Sequence, residues 1–242
     1  MTRKRADVVL VERGFFVSRA RAQEAIAAGL VTVNSVPLRK ASETVPEEAV
    51  ITAEQPHPYV SRGGVKLAAA LDAFHIDPKG CICLDIGAST GGFTEVLLKR
   101  GAAHVYAVDV GHGQLHPIIA ADPRVTNLEG TDARSLNGTL IPDAADLLVS
   151  DVSFISLKLV LPAAVALLKP RATLAVLVKP QFEAGRDHVK KGIVRDSAVH
   201  RAVCEDITAF VASLGFAPLG LAPSPIEGGD GNREFLLGAC RG

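Results

Sequence analysis

Cysteine is scarce in this chain: Cys81, Cys83, Cys204 and Cys240 are the four it has, and none forms a CxxC pair. That spacing speaks against a zinc or disulfide framework, and a strand position makes Cys81 and Cys83 small core hydrophobes. Long apolar runs are also lacking. Leu159 to Leu168 is about half of what a bilayer span requires, and Pro162 interrupts it. After the basic start Arg3-Lys4-Arg5, only Val8 to Val11 precede Glu12, which is too short for a signal-peptide hydrophobic region. A folded cytoplasmic protein without membrane contact is therefore expected. The seven histidines show no ligand spacing, so no metal is implied. Repeats and low-complexity segments are missing too. Net charge is zero over the chain, yet residues 1–40 carry Arg3, Lys4, Arg5, Arg13, Arg19, Arg21, Arg39 and Lys40 against Asp7, Glu12 and Glu24. A basic module on a neutral body suits an anionic partner, with a plain solvated surface as the alternative.

The 242 residues, 48% of them hydrophobic, suffice for one large domain or a domain plus a small module. Residues 7–13 have an apolar face that stops at Gly14, and Ser18 can cap a second helix over 19–28 that ends at Gly29. Val31 and Val33 alternate with polar residues before a possible Asn34-Ser35 turn, and a strand around 50–53 completes a small α+β module, residues 1–53. The segment 54–60, with two prolines and no periodicity, reads as the linker. From about residue 80 the texture becomes α/β: strands at 81–86, 105–110, 147–149 and 174–178 alternate with helices near 94–100, 162–168 and 197–214. Such alternation implies a mostly parallel sheet covered on both faces over 61–242. The stretches 219–222 and 234–239 flank a Pro/Gly-rich loop without a helix, which predicts an antiparallel hairpin at the sheet's edge.

After the first of these strands comes Asp85-Ile-Gly87-Ala-Ser-Thr-Gly91-Gly92-Phe93-Thr, a loop leading into a helix and able to approach a nucleotide-type ligand closely. The chain has no GxxxxGK[ST] and no strict GxGxxG, which sets aside a P-loop and weakens a dinucleotide reading. Asp85 would repel a pyrophosphate and attract a cationic methionine moiety. Asp109, about 20 residues beyond the first glycine, stands where an acidic side chain grips ribose hydroxyls. Together these favour S-adenosylmethionine over NAD.

Lys66, Asp151, Lys179 and Glu234 each border a segment that can deliver them to one pocket, and charges beside apolar stretches are costly unless paired or used. Methyl transfer to oxygen needs an aligned acceptor and removal of a proton from a weakly acidic hydroxyl. A lysine with a depressed pKa can do that: Lys179 is the candidate base, Lys66 the like charge that tunes it, and Asp151 and Glu234 the orienting carboxylates. Surface lysines in salt bridges are the bland alternative. Asp151-Val-Ser-Phe154 lacks the Pro-Pro-aromatic run of base-nitrogen methyltransferases and the Pro-Cys of cytosine-carbon enzymes. Phe154 could stack on a splayed base or lie in the core.

These residues resemble the TlyA-type ribosomal RNA 2′-O-methyltransferases, some of which carry a hemolysin label. Ser18-Arg19 with Ala22, Ile26, Gly29, Val31, Val33 and Asn34 is similar to an S4 RNA-binding domain. Six motifs match the rest: the run from Tyr59 to Leu67, the run from Asp85 to Thr94, Asp109 to Leu115, Ser150 to Ser156, Lys179-Pro-Gln-Phe-Glu183, and Ser224 to Glu234. The resemblance implies a Rossmann-like methyltransferase domain, shared with FtsJ-type enzymes, behind an S4 domain. In it Lys66, Asp151, Lys179 and Glu234 take the places of a catalytic Lys-Asp-Lys-Glu tetrad. It implies cofactor contacts at Asp85, Gly87, Ala88, Ser89, Gly91, Gly92, Phe93, Asp109, Val110, Asp132 and Asp151. RNA contacts are implied at Arg3, Lys4, Arg5, Ser18, Arg19, Arg21, Lys40, Arg62, Lys190, Lys191 and Arg195. Departures stand at Ser35, where Gly is usual in the hairpin, at Ala120, where a basic residue is expected, and at Asp132, where Asn is expected. The implied acceptor is a cytidine 2′-hydroxyl of ribosomal RNA, the large subunit first because this member looks short at its ends. An RNA-binding assembly factor with an inert methyltransferase body is the alternative, and a membrane-lytic role a weaker one.

Overall fold

The computed structural model describes residues 3–228 and 231–242; Gly229 and Asp230, part of the expected motif before Glu234, lie outside the described residues. The chain divides into two compact units, Met1–Pro58 and Tyr59–Gly242.

In the first unit β1 (Arg3–Arg5) leads into α1 (Ala6–Glu12) and α2 (Arg19–Ala27), followed by β2 (Val31–Val33), β3 (Val36–Pro37), β4 (Thr44–Pro46) and β5 (Ile51–Ala53). The strands pair antiparallel as β1-β4 and β3-β2-β5. Val9, Leu10, Phe16, Ile26, Val31 and Val45 form its core. Asn34 and Ser35 both adopt positive φ, 49° and 66°, the turn geometry that Asn-Gly ordinarily supplies. Asn34 helps to hold the serine there: its N–H donates to the Val50 carbonyl at 2.7 Å and its Oδ1 accepts from the Val50 N–H at 3.0 Å. Glu54 to Pro58, expected as linker, fall within this unit. The Glu54 backbone N–H donates to the Leu30 carbonyl and the Gln55 side-chain Nε2 to the Phe15 carbonyl.

A carboxylate is buried here. Asp7, 0% exposed, accepts from Arg5 at 3.0 Å, Arg19 at 2.8 Å and Gln23 at 2.8 Å. Led by Arg5, these donors outweigh burial and hold the acid well below its usual range.

In the second unit the strands β6 (Ile82–Ile86), β7 (His104–Asp109), β8 (Val125–Glu129), β9 (Ala145–Ser150), β10 (Leu168–Val178), β11 (Ala217–Pro223) and β12 (Phe235–Arg241) form one sheet. Its order is β11-β12-β10-β9-β6-β7-β8. Neighbours from β10 to β8 are parallel; β12 runs antiparallel to both β10 and β11. The helices are α3 (Gly63–Ala73), α4 (Gly92–Lys99), α5 (Pro117–Ala120), α6 (Leu157–Val165), α7 (Pro180–Glu183) and α8 (Ser197–Ser213). Leu67, Leu71, Val96 and Leu97 of α3 and α4 cover one face of the sheet, and Val160, Leu161, Ile207 and Val211 of α6 and α8 the other. Strands buried on both faces explain the near-continuous apolar runs. Cys83 is a core residue, as its strand position suggested, whereas Cys81 precedes β6 and is only partly buried.

The structure corrects several boundaries. α6 begins at Leu157, because Ser156 caps it by accepting from the Lys158 amide at 3.1 Å, and Pro162 lies inside the helix rather than opening it. β10 begins at Leu168, with a register shift between Leu168 and Thr173 that hid its first half. β8 is half polar at the sheet's edge, and α3 carries Lys66 on its buried side; the periodicity revealed neither.

Because the folded Asp7 acid is depressed relative to the unfolded one, its stabilisation is present above the ordinary carboxylate range and is lost as pH falls through that range and below. Asp7→Ala should cost about 1–2 kcal/mol, discounted because the two exposed arginines regain water. It should also flatten the acid limb of thermal stability followed by circular dichroism; an unaltered acid limb would contradict this role.

Candidate active site

Parallel strands end on one edge of the sheet. There β6 gives way to Gly87, β7 ends on Asp109, β9 is followed by Asp151 and β10 by Lys179. Glu234 reaches the same edge from the opposite direction: β12 is antiparallel, and its first residue, Phe235, pairs with Val178. Lys66, from the first turns of α3, meets it there.

The four charges form two pairs. Lys66 Nζ donates to Glu234 Oε2 at 2.5 Å, with both side chains buried. Lys179 Nζ lies 2.6 Å from Asp151 Oδ1, an ion-pair contact outside hydrogen-bond alignment, since that oxygen is without a hydrogen-bond donor. Lys179 Nζ does donate to Ser153 Oγ, at 2.9 Å. Where one lysine beside the other was expected, each has a carboxylate as its neighbour. Ser153 is a residue the sequence reading passed over; its place two positions after Asp151 was the available signal. Glu234 packs its carboxylate against Gly228, where a Cβ would collide with it.

Beside these pairs is a cavity of about 350 Å³ lined by Gly87, Ser89, Asp109, Val110, Asp132, Asp151, Ser153 and Phe154 among others. Gly87 has φ +85°, and a Cβ there would sit 2.7 Å from the Asp151 carbonyl oxygen, so only glycine permits this close approach of the segments that follow β6 and β9. Asp109 braces the loop rather than merely facing it: its two oxygens accept from the Ser89 and Gly111 amides, each at 2.8 Å. Asp132 accepts from the Arg134 amide and guanidinium, which hold its acid down to about 2. Arg134 thereby offsets the extra charge at a position where Asn was expected. Asp85 is fully buried; Thr94 donates to its Oδ2 at 2.7 Å and its Oδ1 has no partner. Burial, with help from Asp151 and Asp109, pushes this acid up to about 7.

Not every expected cofactor contact lines that cavity. Ala88 and Phe93 are core residues, and Gly91 packs on Leu115 and Ile119. Gly92 serves packing between helices: a Cβ would strike the Ser61 hydroxyl and lie 2.9 Å from the Gly64 nitrogen. Val110, by contrast, is exposed at the rim. Phe154 is 91% exposed, at φ +64°, with its ring 5.0 Å from that of Phe182, so the core alternative for it is excluded.

Several residues expected at RNA are engaged within the first unit. Arg5 and Arg19 serve Asp7, Lys4 lies 3.1 Å from Glu12 and 2.6 Å from Glu47, and Arg3 donates to the Thr44 carbonyl. Ser18 caps α2 by accepting from the Arg21 amide at 3.3 Å, and Arg21 itself holds Gln55 and His57. Buried carboxylates and helix ends need these donors, which charge counting could not see. Lys40, Arg62, Lys190, Lys191 and Arg195 are exposed.

An FtsJ-like methyltransferase family matches residues 59–241, and an S4 domain matches residues 4–51. The chain belongs to the FtsJ-like methyltransferases. Within that family it is similar to the 16S/23S rRNA (cytidine-2′-O)-methyltransferase TlyA of Mycobacterium tuberculosis, 45% identical over 97% of this chain and 89% of the relative. It is also similar to the 23S rRNA (cytidine-2′-O)-methyltransferase TlyA of Campylobacter jejuni, 36% identical over 74% of this chain and 69% of the relative. A solved hemolysin-named protein from Streptococcus thermophilus superposes with TM-score 0.79 at 42% identity, covering 100% of this chain and 89% of that one. FtsJ-like enzymes of this kind use S-adenosylmethionine. The cavity fits it: a sulfonium suits a wall that holds Asp109, Asp132 and Asp151, near the orphaned buried Asp85 oxygen. Among the described residues no helix is long and apolar enough to cross a membrane, and no cluster of His, Cys, Asp and Glu could hold a metal.

Gly87→Ala should lower cofactor affinity about tenfold or more, the effect of 1–3 kcal/mol of local strain; calorimetric binding equal to the parent's would refute this cradle. Asp85 has its folded pKa, about 7, above the unfolded 3.8. Its burial therefore makes the cofactor-free fold progressively less stable as pH rises between those values. The melting-temperature advantage of Asp85→Asn should grow across that window, and parallel curves would show the carboxyl to be innocuous.

Proposed function

We propose that this FtsJ-like chain transfers a methyl group from S-adenosylmethionine to the 2′-hydroxyl of a cytidine in ribosomal RNA, with the large subunit as first target. The observation that carries the reading is the Lys179 amine, 2.6 Å from Asp151 and 2.9 Å from Ser153 beside the cofactor cavity. The large subunit is favoured because 23S rRNA is common to the names of both TlyA relatives. Such a substrate also supports a cytoplasmic site of action.

Bound S-adenosylmethionine supplies an electrophilic methyl on a sulfonium. Gly87, Ser89, Asp109, Val110, Asp132 and Asp151 would hold it. Lys179 acts as general base when neutral: Ser153 takes one N–H, Asp151 flanks the amine as its counter-charge, and the lone pair serves the acceptor hydroxyl. Lys66 and Glu234 neutralise each other and fix α3 against the start of β12, so the reacting edge keeps its shape. Phe154, exposed and backed by Phe182, offers its ring to a splayed base. Lys40, Arg62, Lys190, Lys191 and Arg195, with Arg3, Lys4, Arg5, Arg19 and Arg21 where their protein partners leave a face open, contribute sequence-independent phosphate attraction.

The test is methyl transfer from radiolabelled cofactor to separated, unmodified ribosomal subunits, with 2′-O-methyl stops located by primer extension. Label on large-subunit RNA is expected, lost by about 10²-fold or more in Lys179→Ala while cofactor affinity stays near the parent's. Substantial turnover in that variant would remove Lys179 as base. No label on either subunit, from protein that binds cofactor, would favour the RNA-binding assembly factor.

A further inference from the structure

Between Lys179 and α8 the chain makes a small basic hairpin that the catalytic geometry does not explain. The Lys190 N–H donates to the Ile193 carbonyl at 3.0 Å and the Ile193 N–H returns to the Lys190 carbonyl at 3.1 Å. Lys191 and Gly192 form its tip, at φ 52° and 78°. Lys190, Lys191 and nearby Arg186 and Arg195 are exposed, without a carboxylate partner among the described residues. Two backbone bonds alone would leave such a turn to fray.

It is held from within by Asn232, which is 3% exposed. The Asn232 Nδ2 donates to the Gly192 carbonyl at 2.9 Å, and its Oδ1 accepts from the Val194 N–H at 3.3 Å. Val194 is itself buried, and its carbonyl accepts from His200 Nε2 at 2.9 Å. The Asn232 carbonyl accepts from the Gly228 N–H at 2.8 Å. Two residues further on, Glu234 makes its 2.5 Å contact with Lys66. One short stretch of chain therefore grips the basic turn with a buried amide and supplies a carboxylate to the reacting edge. A merely solvated run of charge has no need of a buried clamp.

We propose that Asn232 is a positioning residue that registers the Lys190–Lys191 tip, as an arm for RNA phosphate, against the Glu234–Lys66 pair. This rests on the RNA-methylation reading above. Lysine tips of this kind contribute salt-dependent affinity without sequence choice; what the clamp adds is a fixed place for the captured backbone. Asn232 touches neither cofactor cavity nor phosphate and acts through the lysines.

The experiment is a mutant cycle on the full chain, with initial rates on the ribosomal RNA that the wild type methylates. Lys190→Ala with Lys191→Ala should raise KM for RNA about tenfold and lower the salt slope of binding by roughly 2, with kcat and cofactor affinity largely kept. Asn232→Ala should raise the RNA KM to a similar extent. Combining all three should cost about tenfold, not the hundredfold product, because the clamp works only through the tip. Gly192→Ala strains the turn without meeting any atom within 4 Å, so it supplies the same RNA-specific loss if Asn232→Ala folds poorly. Multiplying effects, or a fall in kcat with RNA KM unchanged, would overturn the proposal. Should the wild type methylate no RNA, the substrate reading fails by itself. Trypsin cleavage after Lys190 and Lys191 then still tests the clamp: faster cutting in Asn232→Ala is expected, and an equal rate refutes it.

Discussion

Buried ammonium groups are tolerated only beside a counter-charge, and the second unit is arranged around that need. Lys66 and Lys179 are both largely shielded from water, and each meets one carboxylate. Asp151 follows β9, a parallel neighbour of β10, so it reaches Lys179 by topology alone. Glu234 reaches Lys66 because β12 runs the other way. Were β12 parallel, its seven residues would carry Glu234 about 20 Å toward the far edge, leaving Lys66 with an unmatched charge. The reversed last strand is thus an electrostatic requirement as much as a topological one.

Carboxylates near one cavity meet different fates here. Asp109 is consumed in bracing Ser89 and Gly111, Asp132 is held ionised by Arg134, Asp151 faces Lys179, and Asp85 is buried with one oxygen unpartnered. The result is a negative wall that is locally compensated on its protein side and open toward a cationic ligand. In the first unit the same principle works for structure alone: Asp7 draws Arg5, Arg19 and Gln23 inward and ties β1 and α1 to α2.

Much of the fold was legible. The alternation of apolar strands with helices, the glycine loop after β6 and the closing hairpin of β11 and β12 announced a mostly parallel sheet with a reversed end, because strands buried on both faces must be apolar throughout. The partly polar β8, the Pro-interrupted start of β10 and the cap-defined start of α6 were not, since their signals lie in register and side-chain hydrogen bonds rather than in periodicity. At the site, the identities of Lys66, Asp151, Lys179 and Glu234 could be read as costly charges at segment ends. Their partition into two pairs could not, nor could Ser153, nor the diversion of Phe93, Ala88 and Gly92 into packing.

The sequence by itself determined which segments could be strands and helices and which charged residues needed partners, because burial preference and backbone propensity are local properties. Only the tertiary structure decided which partners they found. Glu234 is bonded to a lysine 168 positions earlier, Asn232 grips a turn 40 positions before it, and arginines that looked free for RNA are engaged by a buried aspartate. Those outcomes depend on strand direction, register and depth of burial, which belong to the packed sheet and not to any stretch of residues taken alone.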